Sequence, residues 1–110
     1  MAYDRALIAL AHPTRRRLYE TMRRRDRTVG ELASLARITQ PAASQHLRVL
    51  SSARLTTVRR EGTRRYYRAD PRGLAGLRQY IESLWDDVLQ AFAAADPAPP
   101  EPTKRKKVQP

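Results

Sequence analysis

Apolar residues recur along this chain at helical spacing in five places and at strand-like alternation in one. Residues 3–11 carry Leu7, Ile8, Leu10 and Ala11, which predicts a short first helix. Pro13 opens the second, expected to reach Arg24 with Leu18, Tyr19 and Met22 on one side. Proline fits there because the N–H groups of a first turn have no intrahelical partner. Arg23, Arg24 and Arg25 at its end suit the negative end of the helix dipole. Thr28-Val29-Gly30-Glu31 has the spacing of a capping box, and Val29, Leu32, Ala33 and Ala36 then repeat on one face of a third helix. The fourth has Thr39 as its N-cap and is expected to end near Ala53, with Ala43, Leu47 and Leu50 as its inner stripe. From position 55 the pattern changes to Thr, Val and Tyr around Glu61-Gly62, predicting a hairpin with strands at 55–60 and 64–69. Asp70-Pro71 caps a final helix that runs to about Ala95. Its Leu74, Leu77, Ile81, Leu84, Val88 and Phe92 alternate steps of three and four, and Trp85 and Leu89 widen the stripe.

Two of these helices, the third and fourth, are joined by Arg37-Ile38-Thr39. The fourth is apolar on one side and carries Gln40, Ser44, Gln45 and Arg48 on the other. That pairing predicts a helix-turn-helix, and the hairpin behind it a wing. The expected fold is mainly α with a β-hairpin wing: a winged helix-turn-helix of about five helices plus a two-stranded antiparallel hairpin. Residues 1–96 form the expected DNA-binding and dimerisation domain. Five of the eight prolines fall in residues 97–110 among polar and basic neighbours, so that segment is expected to be a disordered basic tail.

Charge and composition narrow the chemistry. The 110 residues hold 22 Lys+Arg against 11 Asp+Glu, a net charge of +11, so a polyanion is the first partner to consider. The charge is uneven. Residues 1–78 contain 18 basic and 6 acidic side chains, whereas 79–96 contain four acids and no base. The absence of cysteine removes thiol chemistry and sulfur-ligated metal, and two histidines, His12 and His46, leave little for a His-built site. No apolar run is long enough for a signal peptide or a membrane span. The four glycines are scattered and no nucleophile motif is present, so an enzyme is not expected.

Four segments resemble the ArsR-type (arsenic-repressor-like) winged-helix family, in order and at the expected spacing across residues 3 to about 95. They are His12-Pro13-Thr14-Arg15; Thr28-Val29-Gly30-Glu31-Leu32-Ala33; Gln40-Pro41-Ala42-Ala43-Ser44-Gln45-His46-Leu47-Arg48-Val49-Leu50; and Arg59-Arg60-Glu61-Gly62 followed by Tyr66-Tyr67-Arg68. The resemblance implies a homodimeric bacterial repressor, cytoplasmic and nucleoid-associated when bound, that leaves its double-stranded operator when an inducer arrives. The alternative is a non-specific architectural nucleic-acid-binding module or a protein-interaction winged helix.

Physical chemistry assigns candidates to that reading. Gln40 and Gln45 suit adenine edges in the major groove, and Ser44 suits a base or a phosphate. Thr39, at the helix N-terminus, suits a phosphate, and Ala42 a thymine methyl. Arg48, one turn beyond Ser44, suits a guanine or a phosphate. Strand alternation with a turn after Arg60 puts the tip arginines Arg60 and Arg64 on the side opposite Arg59 and Arg65, making Arg60 and Arg64 the minor-groove candidates. Arg37 and Arg54 stand where the family usually has glycine, which implies left-handed backbone at both and adds charge beside DNA-facing elements. Arg15, Arg16 and Arg17 suit either phosphate or a carboxylate within the fold.

The stripe of the last helix is too apolar to stay exposed. Leu77, Ile81, Leu84, Trp85, Val88 and Phe92, with Leu7 of the first helix, are the expected dimer interface. The family's metal sensors place cysteines in the third helix or His and acidic ligands along the last. Here the third reads Glu31-Leu32-Ala33-Ser34-Leu35 and the last has Glu82, Asp86 and Asp87 without histidine. No metal or other cofactor is expected, and the expected trigger is a small molecule in the dimer seam, another protein, or nothing beyond expression level.

Overall fold

The structure, a computed structural model, describes residues 3–94. Among them the chain forms α1 (Asp4–Ala11), α2 (Pro13–Arg24), α3 (Val29–Ala36), α4 (Gln40–Ser52), β1 (Thr56–Glu61), β2 (Arg64–Ala69) and α5 (Ala75–Ala94). This is the expected winged helix-turn-helix. The predicted tail, 97–110, lies outside the described residues.

Side chains named from the sequence set the helix starts. Thr28 Oγ1 accepts the Glu31 N–H at 3.2 Å while the Glu31 carboxylate accepts the Thr28 N–H at 2.9 Å, completing the capping box. Thr39 Oγ1 accepts the Ala42 N–H at 3.2 Å and begins α4. His12 Nδ1 accepts the Thr14 N–H at 3.1 Å and begins α2. The last helix differs from expectation at its start. Pro71–Leu74 is a separate 3-10 turn, capped by Asp70, and α5 begins only at Ala75. The reason is a close crossing. A Cβ on Gly73 would lie 2.1 Å from the Arg54 carbonyl oxygen, so this turn is pressed against the end of α4.

Helix ends depend on backbone that side chains rarely adopt. Arg37 has φ 59 and Arg54 has φ 63, the left-handed conformation the family resemblance implied. At the end of α3 the Ile38 N–H reaches Ala33 O at 3.0 Å and the Arg37 N–H reaches Ser34 O at 3.2 Å. At the end of α4 the Leu55 and Arg54 N–H groups reach Leu50 O and Ser51 O, both at 2.9 Å. Both are Schellman closures, in which glycine is the usual occupant of the left-handed position. An L-residue with a Cβ costs on the order of 1 kcal/mol there.

Packing divides the chain into two units, Met1–Gln79 and Tyr80–Pro110. In the first, Leu18, Met22, Leu32, Leu47, Leu50 and Leu55 are fully buried, and each contributes about 1.5–3 kcal/mol by leaving water. Ala6 and Ala9 bring α1 against this core, and Leu74 and Leu77 pack on it partly buried. In the second, Ile81, Leu84, Trp85, Val88, Leu89 and Phe92 are exposed along one helix. Leu7 of α1 is exposed in the same way, whereas Leu77 is turned toward its own core. No helix among the described residues is long and apolar enough to cross a membrane.

Candidate nucleic-acid interface

The fourth helix is anchored by Ala43, Leu47 and Leu50, all buried, which fixes what its other side presents. Gln40, Gln45 and Arg48 are exposed, and Ala42 and Ser44 are half-buried. Gln40 lies over the first turn of α3, its Nε2 3.4 Å from where a Cβ on Gly30 would stand. Thr39 spends its hydroxyl on the cap of α4, so what it offers an external phosphate is its place at a helix N-terminus.

The wing corrects one reading. Its strands pair Glu61 with Arg64, Arg60 with Arg65 and Arg59 with Tyr66. The turn is therefore two residues, Gly62-Thr63, with Gly62 at φ 63 as a type II′ turn asks of its first position. The expected strand end at Arg60 implied one more turn residue and paired Arg60 with Arg64. A one-residue change of register moves a side chain to the other face. Arg60 thus shares its face with Arg65, together with Val58 and Tyr67, while Arg64 shares the other with Arg59, Tyr66 and Arg68.

The arginines sort by what they hold. Asp26 accepts Arg68 Nε at 2.8 Å and Arg59 Nη2 at 3.1 Å. The bond from Arg68 in particular holds the Asp26 carboxyl below the usual carboxylate range. Arg59 also pairs with Glu61 and lies 4.7 Å from the centre of the Tyr66 ring. With the backbone pairing of Arg27 and Tyr67, these contacts fasten the base of the wing to the loop before α3. Arg60, Arg64 and Arg65 make no ion pair among the described residues. Arg64 and Arg65 line a cleft of about 620 Å³ with Ser44, Thr28 and Thr63. Arg65 and Arg48 also line a second, of about 310 Å³, again with Ser44. Sequence reasoning missed Arg65 and Thr63, and the Gly-first two-residue turn was the signal that places them.

Within the fold, Arg15, Arg16 and Arg17 bind backbone carbonyls and not the expected carboxylate. Arg15 Nε donates to Ala9 O at 2.8 Å, Arg16 Nη1 to Leu10 O at 2.7 Å and Arg17 Nη2 to Ala36 O at 3.3 Å. All three close helix C-terminal carbonyls that would otherwise lack partners. Arg15 also reaches Nδ1 of His46 at 3.4 Å, and the His46 ring lies 4.8 Å from that of His12.

Residues 10–59 match a family model described as a helix-turn-helix domain. The chain is 47% identical over 90 residues to the HTH-type transcriptional regulator Rv2034 of Mycobacterium tuberculosis, covering 82% of this chain and 84% of that one. Among solved structures it is similar to a possible transcriptional regulator for arsenical resistance, with a TM-score of 0.65, 45% identity, and coverage of 82% and 95%. It is also similar to the homodimeric winged helix-turn-helix domain of a possible ArsR-family regulator from Mycobacterium bovis, with a TM-score of 0.63, 30% identity, and coverage of 78% and 80%. The chain belongs to the ArsR-type winged helix-turn-helix regulators. As an ArsR-type protein it is a DNA-binding transcriptional regulator.

Two predictions arise here. Arg37→Gly in this ArsR-type chain should raise stability by about 1 kcal/mol, because glycine adopts φ 59 without strain. It should also weaken operator binding by removing a cation beside α4. A melting curve and a DNA titration check both effects, and unchanged affinity would refute the second. His46 gives the pH dependence. Burial first, then His12 and Arg15, push its pKa below the ordinary value. The unfolded chain therefore takes up the proton first, so stability is full above about pH 6.5 and declines as pH falls toward the lowered folded value. His46→Gln, which still offers Arg15 an acceptor, should flatten the loss of melting temperature between pH 7 and 5. An identical pH profile would remove His46 as its cause.

Proposed function

We propose that the chain is a homodimeric repressor that sits on an inverted-repeat operator, with α4 in the major groove and the wing on the adjacent minor groove. The observation that carries this is the sorting of the arginines. Elsewhere in the first unit, Arg5, Arg15, Arg16 and Arg17 close helix ends, Arg23, Arg25 and Arg72 pair with acids, Arg59 and Arg68 hold Asp26, and Arg37 and Arg54 stand at the helix closures. Arg48, Arg60, Arg64 and Arg65, without such partners among the described residues, gather on α4 and the wing. Gln40, Ala42, Ser44 and Gln45 contact bases, and Thr39, Arg37 and the wing arginines contact backbone. Arg65 joins Arg60 and Arg64 in that set, since it lies beside Ser44 and Arg48.

The exposed stripe Ile81, Leu84, Trp85, Val88 and Phe92, with Leu7, supports pairing with a second copy. A twofold pair presents its reading helices roughly 34 Å apart, one turn of DNA. An inducer, a small molecule or a protein, releases the complex in the bacterial cytoplasm.

Titration with the promoter of its own operon and with random duplex at fixed salt tests the reading. A specific regulator should prefer the operator by at least about a thousandfold. Gln45→Ala should cost about 1–3 kcal/mol of operator binding, and Arg65→Ala should weaken binding to both duplexes alike and lower the salt slope by about 1. Equal affinity for both duplexes would favour the non-specific architectural reading.

A further inference from the structure

A second cluster of arginines lies away from the cleft between α4 and the wing. Arg5 of α1, Arg54 at the end of α4 and Arg72 of the 3-10 turn line one cavity of about 320 Å³ with Ser52, Ala53, Gly73 and Gly76. All of these belong to the first unit. The lining holds three cations and no acid. The volume is at the small end of the range for ligand pockets, roughly 300–1,000 Å³.

Each guanidinium is placed differently. Asp70 holds Arg72 through Nε and Nη2, both at 3.0 Å. Arg5 gives one N–H to Ser52 O at 3.3 Å and keeps the others. Arg54 has no side-chain partner among the described residues, although it occupies a left-handed position that glycine would fill without strain. The close approach of Gly73 to the Arg54 carbonyl locks the backbone that carries Arg54 to the backbone that carries Arg72. Gly76 leaves part of the wall without a side chain, so a ligand can approach the backbone closely there, whereas the space beside Gly73 is taken by the Arg54 carbonyl. Three of the carbonyls at the end of α4 are covered, while Ala53 O and Arg54 O face Gly73. Leu50 O and Ser51 O take backbone N–H groups, and Ser52 O takes Arg5. Guanidinium groups converging on a small concave surface match the flat, two-oxygen faces of carboxylate and phosphate.

We propose that this cavity binds a small polyanionic metabolite through its carboxylate or phosphate groups. The site touches α1, the end of the reading helix and the start of the last helix, so occupancy would tie them together. That consequence for DNA rests on the function proposed above; binding itself does not.

Calorimetric titration of the full chain without DNA, with citrate and separately with inorganic phosphate at constant ionic strength, tests the site. Saturable binding of at least one probe, one per chain, is expected. Citrate as the tighter probe identifies a polycarboxylate ligand, and phosphate as the tighter one a phosphate ester. Arg54→Gly, which relieves backbone strain and so should fold, is expected to weaken binding at least tenfold. Arg37→Gly makes the same change of residue at the end of α3 and should bind like the parent chain. No saturable binding of either probe, or Arg54→Gly within twofold of the parent, overturns the proposal. If the probe binds but leaves operator affinity unchanged, the site stands and its link to DNA falls.

Discussion

Gly73→Ala should lower the stability of this protein by about 3 kcal/mol or more, the upper range for forcing extra atoms into a packed site. The added Cβ would stand 2.1 Å from the Arg54 carbonyl oxygen, 2.6 Å from its carbonyl carbon and 3.1 Å from Ala53 O. All three are backbone atoms, so no flexible side chain can swing aside. Relief requires the 3-10 turn to lift from the end of α4, or the Schellman closure at Arg54 to open. Either exposes Leu55, which is fully buried, or Leu74, which packs on the core. For a domain of 60–100 residues, such a loss corresponds to about 12–24 °C in melting temperature. Gly30→Ala is the control, because its Cβ meets the movable amide of Gln40 at 3.4 Å and alanine is the better helix former. A Gly73→Ala protein that melted within 2 °C of its parent would show that the crossing is looser than described.

The other large effect falls on DNA binding. Leu84→Asp should yield monomers by sedimentation and weaken operator binding at least a hundredfold. Leu84 is exposed in the second unit, so a charge there leaves that helix folded. In a paired state the same carboxylate would be buried without a partner, which a dimer interface does not tolerate. A monomer holds one half-site and loses the gain of a tethered second contact, commonly a hundredfold or more. A Leu84→Asp protein that remained dimeric would place the interface elsewhere. A monomer that kept full operator affinity would refute the twofold reading of DNA.

Much of this fold was legible because its signals are local. The capping box at Thr28, the N-cap at Thr39 and the period of Leu47 and Leu50 each involve residues within four positions of one another. The left-handed backbone at Arg37 and Arg54 came from the family resemblance, since arginine stands where that family usually has glycine. Three features were not legible. The wing register turns on whether the loop has two residues or three, and Glu61 suits a strand end as well as a turn. The roles of Arg15, Arg16 and Arg17 were hidden because their partners are backbone carbonyls, which every residue possesses and no motif marks. The 3-10 turn before α5 answers to Arg54, nineteen positions from Gly73, and no periodicity reports so distant a crossing.

Asp26 has a consequence for how the protein responds to ions. By holding Arg59 and Arg68 it neutralises part of the wing's charge before any DNA arrives. Counterions leave DNA in proportion to the phosphates that protein cations neutralise, and each adds about 0.9 to the dependence of log affinity on log salt. On the proposed reading, Arg60, Arg64 and Arg65 of the five wing arginines are left to displace counterions, so the wing should be less salt-sensitive than its composition suggests. One acid in a loop thus trades electrostatic reach for a wing already in place when the phosphates come within range.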